Sequence, residues 1–308
     1  RYNYIMKWAL VLSGGGAKGL AYIGMFKALE ELEYPLPNCI VGCSMGAIIG
    51  GLYASGMTVD EMISFFSKNF ELTDYLDVSH LGFGLTKLTK LLQIGASLNN
   101  LISHQGADSG EKSLTLFKKL SCYQTFDQLK IPFYCNATDL CEGNEVVFDK
   151  GFLADAMRAS YSYPGFFAPF NYNGKLFVDG CVKNNTPVWI AKEKGFKNIL
   201  AVTLGTFKTI NNDALDSSIS VLTRCLEVAA IRSDYSVRNT PTHILDIDTC
   251  TASYDFSDPF YQIQMGYSIT MNNKKELLEF FQKGFSGFLN RRRMTKKTTK
   301  RLKNEKVF

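Results

Sequence analysis

The sequence predicts an α/β fold, a three-layer α/β/α sandwich around a central, mostly parallel sheet. Two observations carry this prediction. Short apolar runs alternate along the chain with longer segments whose apolar residues recur at helical spacing. Two of these runs, Trp8–Leu12 and Cys39–Val41, are each followed by a glycine-containing loop and then by a helical pattern. Such strand–loop–helix units favour a sheet covered by helices.

Each predicted strand is a short apolar or β-branched run, and Asn173–Gly174 marks a hairpin turn before one of them. The predicted strands are Trp8–Leu12, Cys39–Val41, Ile131–Ala137, Glu145–Phe148, Lys175–Val178, Asn198–Leu204 and His243–Ile247. The helices have apolar residues at helical spacing, and Pro35 stops the first while Thr58 has capping-box spacing with Glu61. The predicted helices cover 17–33, the residues from the second glycine loop to Ala54, a segment opening at Thr58, and 110–120, 151–160, 186–194, 217–233 and 260–289.

The composition is that of a globular protein, with 46% hydrophobic and 20% charged residues among 308. We expect a single domain over 1–290, with a variable cap or lid at about 71–125 and a disordered basic tail at 291–308. The stretch 36–59 has no charged residue, but glycines and polar residues interrupt it. A buried strand and a buried helix therefore explain it better than a membrane span does.

The charge is unevenly distributed along the chain. Residues 291–306 hold nine Lys or Arg and one Glu, a net +8, so the remainder of the +5 chain carries −3. A slightly acidic body argues against nucleic acid as a partner. The eight cysteines form no CxxC pair, and the three histidines have no metal-ligand spacing. We therefore expect reduced cysteines, a cytoplasmic location, no metal and no cofactor.

The first glycine loop, Ser13–Gly19, follows a strand and opens a helix, so its backbone N–H groups favour an anion. Gly14, Gly16 and Gly19 match the GxGxxG dinucleotide fingerprint. That fingerprint also requires an acid at the end of the next strand, and here Val41-Gly42 stand there instead. Nucleotide binding stays open as an alternative with little support.

The second loop reads Gly42-Cys43-Ser44-Met45-Gly46, a GxSxG pattern between a strand and a helix. This context is typical of a nucleophile elbow that presents a serine hydroxyl. Ser44 needs a base, and the sequence offers His243 or Asp179. His243 begins an apolar run typical of a strand, where a structural role is expected. Asp179 ends a strand before Gly180, and partial burial would make it a competent base.

The spaced motifs resemble those of the patatin-like phospholipases, and the resemblance covers roughly residues 8 to 204. The motifs are Ser13–Gly19, Gly42–Gly46, Phe126–Phe133, Ala137–Leu140, Arg158–Ser160, Tyr163–Pro169, Asp179-Gly180 and Asn184–Pro187. The resemblance implies a patatin-like catalytic domain that hydrolyses acyl esters of phospholipids or lysophospholipids with a Ser–Asp dyad. It implies a serine esterase of the phospholipase A type.

Carried over by position, the resemblance implies Ser44 as the nucleophile and Asp179 as the base. It implies an oxyanion hole from the backbone N–H groups around Gly14, Gly15 and Gly16. Lys18 stands where the family has Arg or Lys, and would attract a phosphate head group.

Two cysteines depart from or flank the family motifs. Cys181 follows Asp-Gly where Gly or Ala is usual, and we expect it to be tolerated. Cys43 precedes the nucleophile on the turn, and we expect it to point elsewhere and pack.

Two alternatives remain beside this interpretation. One is a non-catalytic lipid- or nucleotide-binding domain on the same scaffold. The other concerns the membrane: a basic amphipathic segment at 85–94 and the basic residues of 291–306 would contact anionic lipid, or else form an ordinary packed helix and a solvated tail.

Overall fold

The structure is a computed structural model that describes residues 6–68, 108–205, 240–253 and 255–305, with short pieces at 209–212, 215, 220–221 and 224–229. Its strands are β1 Ala9–Leu12, β2 Cys39–Gly42, β3 Phe133–Asp139, β4 Asn144–Phe148, β5 Phe170–Tyr172, β6 Lys175–Asp179, β7 Ile199–Thr203 and β8 His243–Asp246. Its helices are α1 Ala21–Glu31, α2 Met45–Ser55, α3 Val59–Lys68, α4 Glu111–Leu120, α5 Leu153–Ser160, α6 Val188–Glu193, α7 Pro259–Asn272, α8 Lys274–Phe281 and α9 Gly284–Glu305.

The eight strands form one mixed sheet in the order β5-β6-β3-β2-β1-β7-β8, with β4 paired to β3. Five neighbouring strands, β3, β2, β1, β7 and β8, run parallel. The strands β4, β5 and β6 add antiparallel pairs at one side of the sheet. Since parallel strands end at the same edge, the loops after β1, β2 and β7 share one side of the sheet. The predicted mostly parallel sheet is confirmed.

Helices cover both faces of the sheet, as a three-layer fold requires. Along β1, Leu10 and Leu12 belong to the large core formed with α1, α2 and α5. The alternate residues Ala9 and Val11 belong to a second core formed with α6. Both faces of β1 are therefore buried, which explains why its sequence is apolar without alternation.

The uncharged stretch 36–59 forms β2 and α2, and every residue of both elements is buried. No described helix is long and apolar enough to cross a membrane. The helix that opens after Thr58 also forms as expected. Its capping box is complete, because Thr58 N–H donates to Glu61 Oε2 at 2.8 Å and Glu61 N–H donates back to Thr58 Oγ1 at 3.3 Å.

The predicted disordered tail is wrong for residues 291–305, which continue the helix α9. Met294, Thr298 and Leu302 recur every four residues and are buried. This stripe lies along the edge strand β8, where Thr298 Oγ1 donates to the backbone oxygen of Thr242 at 3.3 Å. The helix is held on the edge strand by this buried stripe and by the ion pair of Arg301 with Asp246 of β8, a tertiary effect that composition does not reveal.

The predicted cap at 71–125 is described only in its last part. The helix predicted at 110–120 is present as α4. The amphipathic segment at 85–94 lies outside the described residues, as do His80 and His104.

Candidate active site

Both glycine loops lie at the carboxyl edge of the parallel strands, where they touch. Because β1 and β2 are neighbours with Leu12 opposite Gly42, the two loops leave the sheet side by side. A β-carbon built on Gly14 would lie 2.9 Å from Cβ of Ser44. The absence of a side chain at Gly14 therefore allows the first loop to rest directly against the predicted nucleophile.

Ser44 occupies a strained turn between β2 and α2. Its backbone has φ 53° and ψ −122°, a conformation that non-glycine residues seldom adopt. The flanking glycines permit the turn, since a β-carbon on Gly42 would lie 2.4 Å from the backbone oxygen of Gly46. The N–H of Ser44 donates to Oγ of Ser160 at 2.9 Å. Ser44 thus stands at the amino end of α2, held from the adjoining helix α5 and 7% exposed.

Asp179 reaches the same place from an antiparallel strand. In β3, Cys135 lies opposite Gly42 of β2, and Ala137, two residues further on, lies opposite Asp179 of β6. This register brings the last residue of β6 level with the turn that follows β2. The N–H of Asp179 donates to the backbone oxygen of Ser162 at 2.9 Å, which fixes the residue on its main chain.

The carboxylate of Asp179 is fully buried, and burial raises its pKa to about 6. Hydrogen bonding from Ser44, from the N–H and thiol of Cys181, and from the thiol of Cys43 counteracts part of this rise. Oδ2 is buried and has no partner within full hydrogen-bond geometry among the described residues, so this oxygen is available to accept a proton. Catalytic hydrogen bonds commonly tighten when substrate binds. A carboxyl group with a pKa near 6 is ionised at neutral pH and can still accept a proton.

Some backbone N–H groups of the first glycine loop already donate to acceptors within the protein, and others do not. The N–H of Gly14 donates to the backbone oxygen of Asn185 at 3.3 Å, and that of Ala17 donates to the backbone oxygen of Ser253 at 2.7 Å. Gly15 and Gly16 lie between them, and their N–H groups have no acceptor among the described residues. The N–H groups of Gly15 and Gly16 are therefore the ones available to a substrate oxyanion, and the oxyanion role of the three glycines stays a prediction.

Lys18 lies in the 3-10 turn Gly16–Leu20 that follows the free N–H groups, and it is half-buried. No acidic side chain within the described part of the chain pairs with its ammonium group. Its position one turn after the glycines agrees with the predicted head-group role, which stays a prediction.

The alternative base, His243, is far from Ser44 in the sheet. It is the first residue of β8, an edge strand, so it lies at the opposite end of the parallel strands from the glycine loops. Its Nε2 lies 3.3 Å from Oε2 of Glu276 on α8, and burial lowers its pKa. His243 is therefore a packing residue between β8 and the C-terminal helices.

Several residues that position the site had no role in the sequence prediction. Ser160 and Asn185 lie within motifs that carried the family resemblance, yet nothing in the sequence indicated which backbone group each would hold. Cys43 was expected to point away, but its Sγ lies 3.8 Å from Oδ1 of Asp179. No cluster of three or more His, Cys, Asp or Glu residues suited to a metal occurs among the residues described.

Comparisons with known proteins identify the family of the chain. The sequence model of the family described as patatin-like phospholipase matches residues 10–192. An uncharacterized NTE family protein of Mycobacterium bovis is 36% identical over 180 residues, covering 58% of this chain and 44% of that protein. Lysophospholipase NTE1 of Cryptococcus neoformans is 31% identical over 204 residues, covering 64% of this chain and 11% of that protein. The chain thus spans less than half the length of these relatives.

Among solved structures, the crystal structure of VipD from Legionella pneumophila matches 87% of this chain and 66% of that chain. The TM-score is 0.50 and the identity 16%, a likeness that concerns the fold alone. The family model covers more than half of the chain, and it includes both glycine loops and the Asp179 turn. The chain belongs to the patatin-like phospholipase family.

Proposed function

We propose that this chain is a lipid acyl hydrolase in which Ser44 is the nucleophile and Asp179 the general base. The observation that carries the proposal is the meeting of a serine in a strained elbow with a fully buried carboxylate whose pKa is raised to about 6. Family membership and a relative named as a lysophospholipase favour phospholipids or lysophospholipids as substrates.

The reaction begins when Oγ of Ser44 attacks the ester carbonyl carbon while its proton passes to Oδ2 of Asp179. The carbonyl oxygen becomes an oxyanion that accepts hydrogen bonds from the N–H groups of Gly15 and Gly16. Each such donor typically contributes about 2.7–4 kcal/mol to the transition state. Collapse of the tetrahedral intermediate breaks the ester bond, and the proton on Asp179 goes to the departing alcohol. Water, activated by the same carboxylate, then releases the fatty acid and restores Ser44.

The experiment that tests this function is hydrolysis of phosphatidylcholine and lysophosphatidylcholine, followed by mass-spectrometric detection of free fatty acid. We expect Ser44→Ala and Asp179→Asn each to lower the rate by at least a thousandfold in folded protein. His243→Gln serves as the control, because it removes the alternative base and should stay active. Wild-type-like turnover in either dyad variant would refute the proposed roles.

The competing hypothesis is a non-catalytic lipid- or nucleotide-binding domain on the same scaffold. It predicts that the wild-type protein releases no fatty acid from any of these lipids. Stoichiometric lipid binding without turnover would then support it, whereas fatty acid release that depends on Ser44 would exclude it.

We also propose peripheral contact with anionic membranes through the exposed basic face of α9. Arg293 lies 2.8 Å from Glu279, and Lys297 lies 3.5 Å from Glu276. The remaining exposed cations of this helix have no acidic partner within the described residues; they are Arg292, Lys296, Lys300 and Lys303. Each adds about 1 kcal/mol of attraction near an anionic surface.

Because α9 is packed on β8, charge neutralisation tests this contact better than truncation does. We expect the triple change Arg292→Gln, Lys296→Gln and Lys300→Gln to weaken binding to phosphatidylserine vesicles in low salt by at least tenfold. The matched control neutralises three exposed lysines elsewhere, Lys112, Lys119 and Lys150. Equal loss of binding in both triple variants would mean that general charge, and not α9, drives the association.

A further inference from the structure

Two cysteines on different turns of the chain lie against the carboxylate of Asp179. Cys43 comes from the turn after β2 and is fully buried, with Sγ 3.8 Å from Oδ1 of Asp179. Cys181 comes from the turn after β6, and its N–H donates to the same oxygen at 2.8 Å. The thiol of Cys181 also hydrogen-bonds to the carboxylate.

These contacts distinguish the two carboxylate oxygens. Oδ1 accepts the N–H of Cys181 and the thiol of Cys43. Oδ2 is buried and has no partner in full hydrogen-bond geometry among the residues that the structure describes. A carboxylate anchored through one oxygen cannot rotate freely, so the other oxygen keeps a constant direction. Oδ2 is then the oxygen left to receive the proton of Ser44.

We propose that Cys43 and Cys181 are positioning residues for the catalytic base: the thiol of Cys43 and the N–H of Cys181 hold Oδ1 of Asp179, the thiol of Cys181 adds a hydrogen bond to the same carboxylate, and Oδ2 is left to Ser44. This inference rests on the proposed function of Asp179. It also gives a role to the two cysteines that the sequence alone marked only as a packing neighbour and a tolerated departure from the family pattern.

A thiol that donates to a carboxylate favours its ionised form, because the bond is strongest when the acceptor is charged. Removing a thiol should therefore raise the pKa of Asp179 and move the acidic limb of the activity profile to higher pH. Among the described residues, the other titratable group that interacts with Asp179 is Tyr161 at the end of α5, beside Arg158 and Asp108. Burial raises the pKa of Tyr161, so it stays neutral and contributes no step near pH 6.

The experiment compares kcat/KM for a p-nitrophenyl acyl ester between pH 5 and pH 9 in Cys43→Ala, Cys181→Ala and the double variant. With an acidic limb near pH 6, a rise of about 0.7 in pKa lowers the ratio of kcat/KM at pH 5.5 to that at pH 8 about fourfold. We expect this change in each single variant and a larger one in the double variant. Cys43→Ser keeps a donor at the site and should restore most of the wild-type ratio.

Cys39→Ala is the matched control, because Cys39 is a fully buried cysteine of β2 that packs in the second core. It reproduces the loss of a buried sulfur without touching Asp179. The proposal is overturned if the acidic limbs of both alanine variants coincide with those of the wild type and of Cys39→Ala. In that case an inactive Asp179→Asn would leave the proposed function standing, whereas an active Asp179→Asn would remove both.

Discussion

Replacing Asp179, the buried carboxylate that we propose as the base, should make the protein inactive and more stable at the same time. The pKa of Asp179 rises from its ordinary 3.8 to about 6 because the carboxylate has no solvent contact. This folded-state pKa lies above the unfolded value, so ionising the carboxyl group costs more in the folded protein than in the unfolded chain. The protonated group carries no such cost below pH 3.8, and the stability it preserves there is lost as pH rises through 6. At pH 8 the ionised side chain therefore lowers the free energy of unfolding by about 3 kcal/mol.

Asp179→Asn removes this cost, because the amide is neutral at every pH. Part of the gain is offset by the new buried N–H₂ group, whose missing partner costs about 1–3 kcal/mol. We therefore expect Asp179→Asn to exceed the wild type by up to about 2 kcal/mol in urea unfolding at pH 8. At pH 4.5 the cost in the wild type has fallen to about 1 kcal/mol, so the advantage should shrink by about 2 kcal/mol or reverse.

Asp139→Asn provides the control of opposite sign. Its carboxylate is 2.9 Å from Nζ of Lys175 and accepts the N–H groups of Cys141 and Glu142, which lower its pKa. A lowered folded-state pKa contributes stability above the ordinary value that is lost as pH falls, so Asp139→Asn should be less stable than the wild type at pH 8. If the Asp179→Asn advantage did not change between pH 4.5 and pH 8, the assigned burial of an ionised Asp179 would be wrong.

Three further predictions test Ser160, Gly16 and His243. Ser160→Ala leaves the Ser44 N–H without its acceptor and should lower kcat about 10- to 100-fold with little change in KM. Ser121, at the C-terminal cap of α4, is equally buried, and the control Ser121→Ala should leave kcat within twofold. Gly16 has φ 57°, and the β-carbon of Gly16→Ala would lie 2.0 Å from the backbone oxygen of Ser253, so this change should displace the loop and lower kcat at least a hundredfold. Gly143 has φ 68° but open space around it, so the control Gly143→Ala should lower stability only. His243→Gln should lower Tm and keep kcat within twofold, as differential scanning fluorimetry and the ester assay would report; a hundredfold loss of kcat would contradict its packing role.

The sequence predicted the elements that carry the site because their signals are local. Apolar runs followed by glycines mark the ends of β1 and β2, and the spacing of Gly42 and Gly46 indicates the elbow at Ser44. The choice of Asp179 over His243 as base came from the family resemblance, since both residues stand on apolar strands. Only the register between β3 and β6 explains how Asp179 reaches Ser44.

What the sequence missed depends on tertiary geometry. The contact of Cys43 with Asp179 joins the turn after β2 to the end of the antiparallel strand β6, a pairing that no single residue type reveals. The Gly14 N–H is occupied by the backbone oxygen of Asn185, a residue 171 positions away in the sequence. The helix at 291–305 is ordered because Met294 and Leu302 are buried against the rest of the protein, although its composition is that of a solvated segment.

The central claim is that Asp179 activates Ser44, and reaction with a fluorophosphonate probe tests it most directly. The probe would be added to wild-type protein and to Asp179→Asn at pH 8, and the adduct located by peptide mass spectrometry. We predict a single adduct on Ser44 in the wild type and a labelling rate at least a hundredfold lower in folded Asp179→Asn. Equal labelling of Ser44 in both proteins, or an adduct on a different serine, would contradict it.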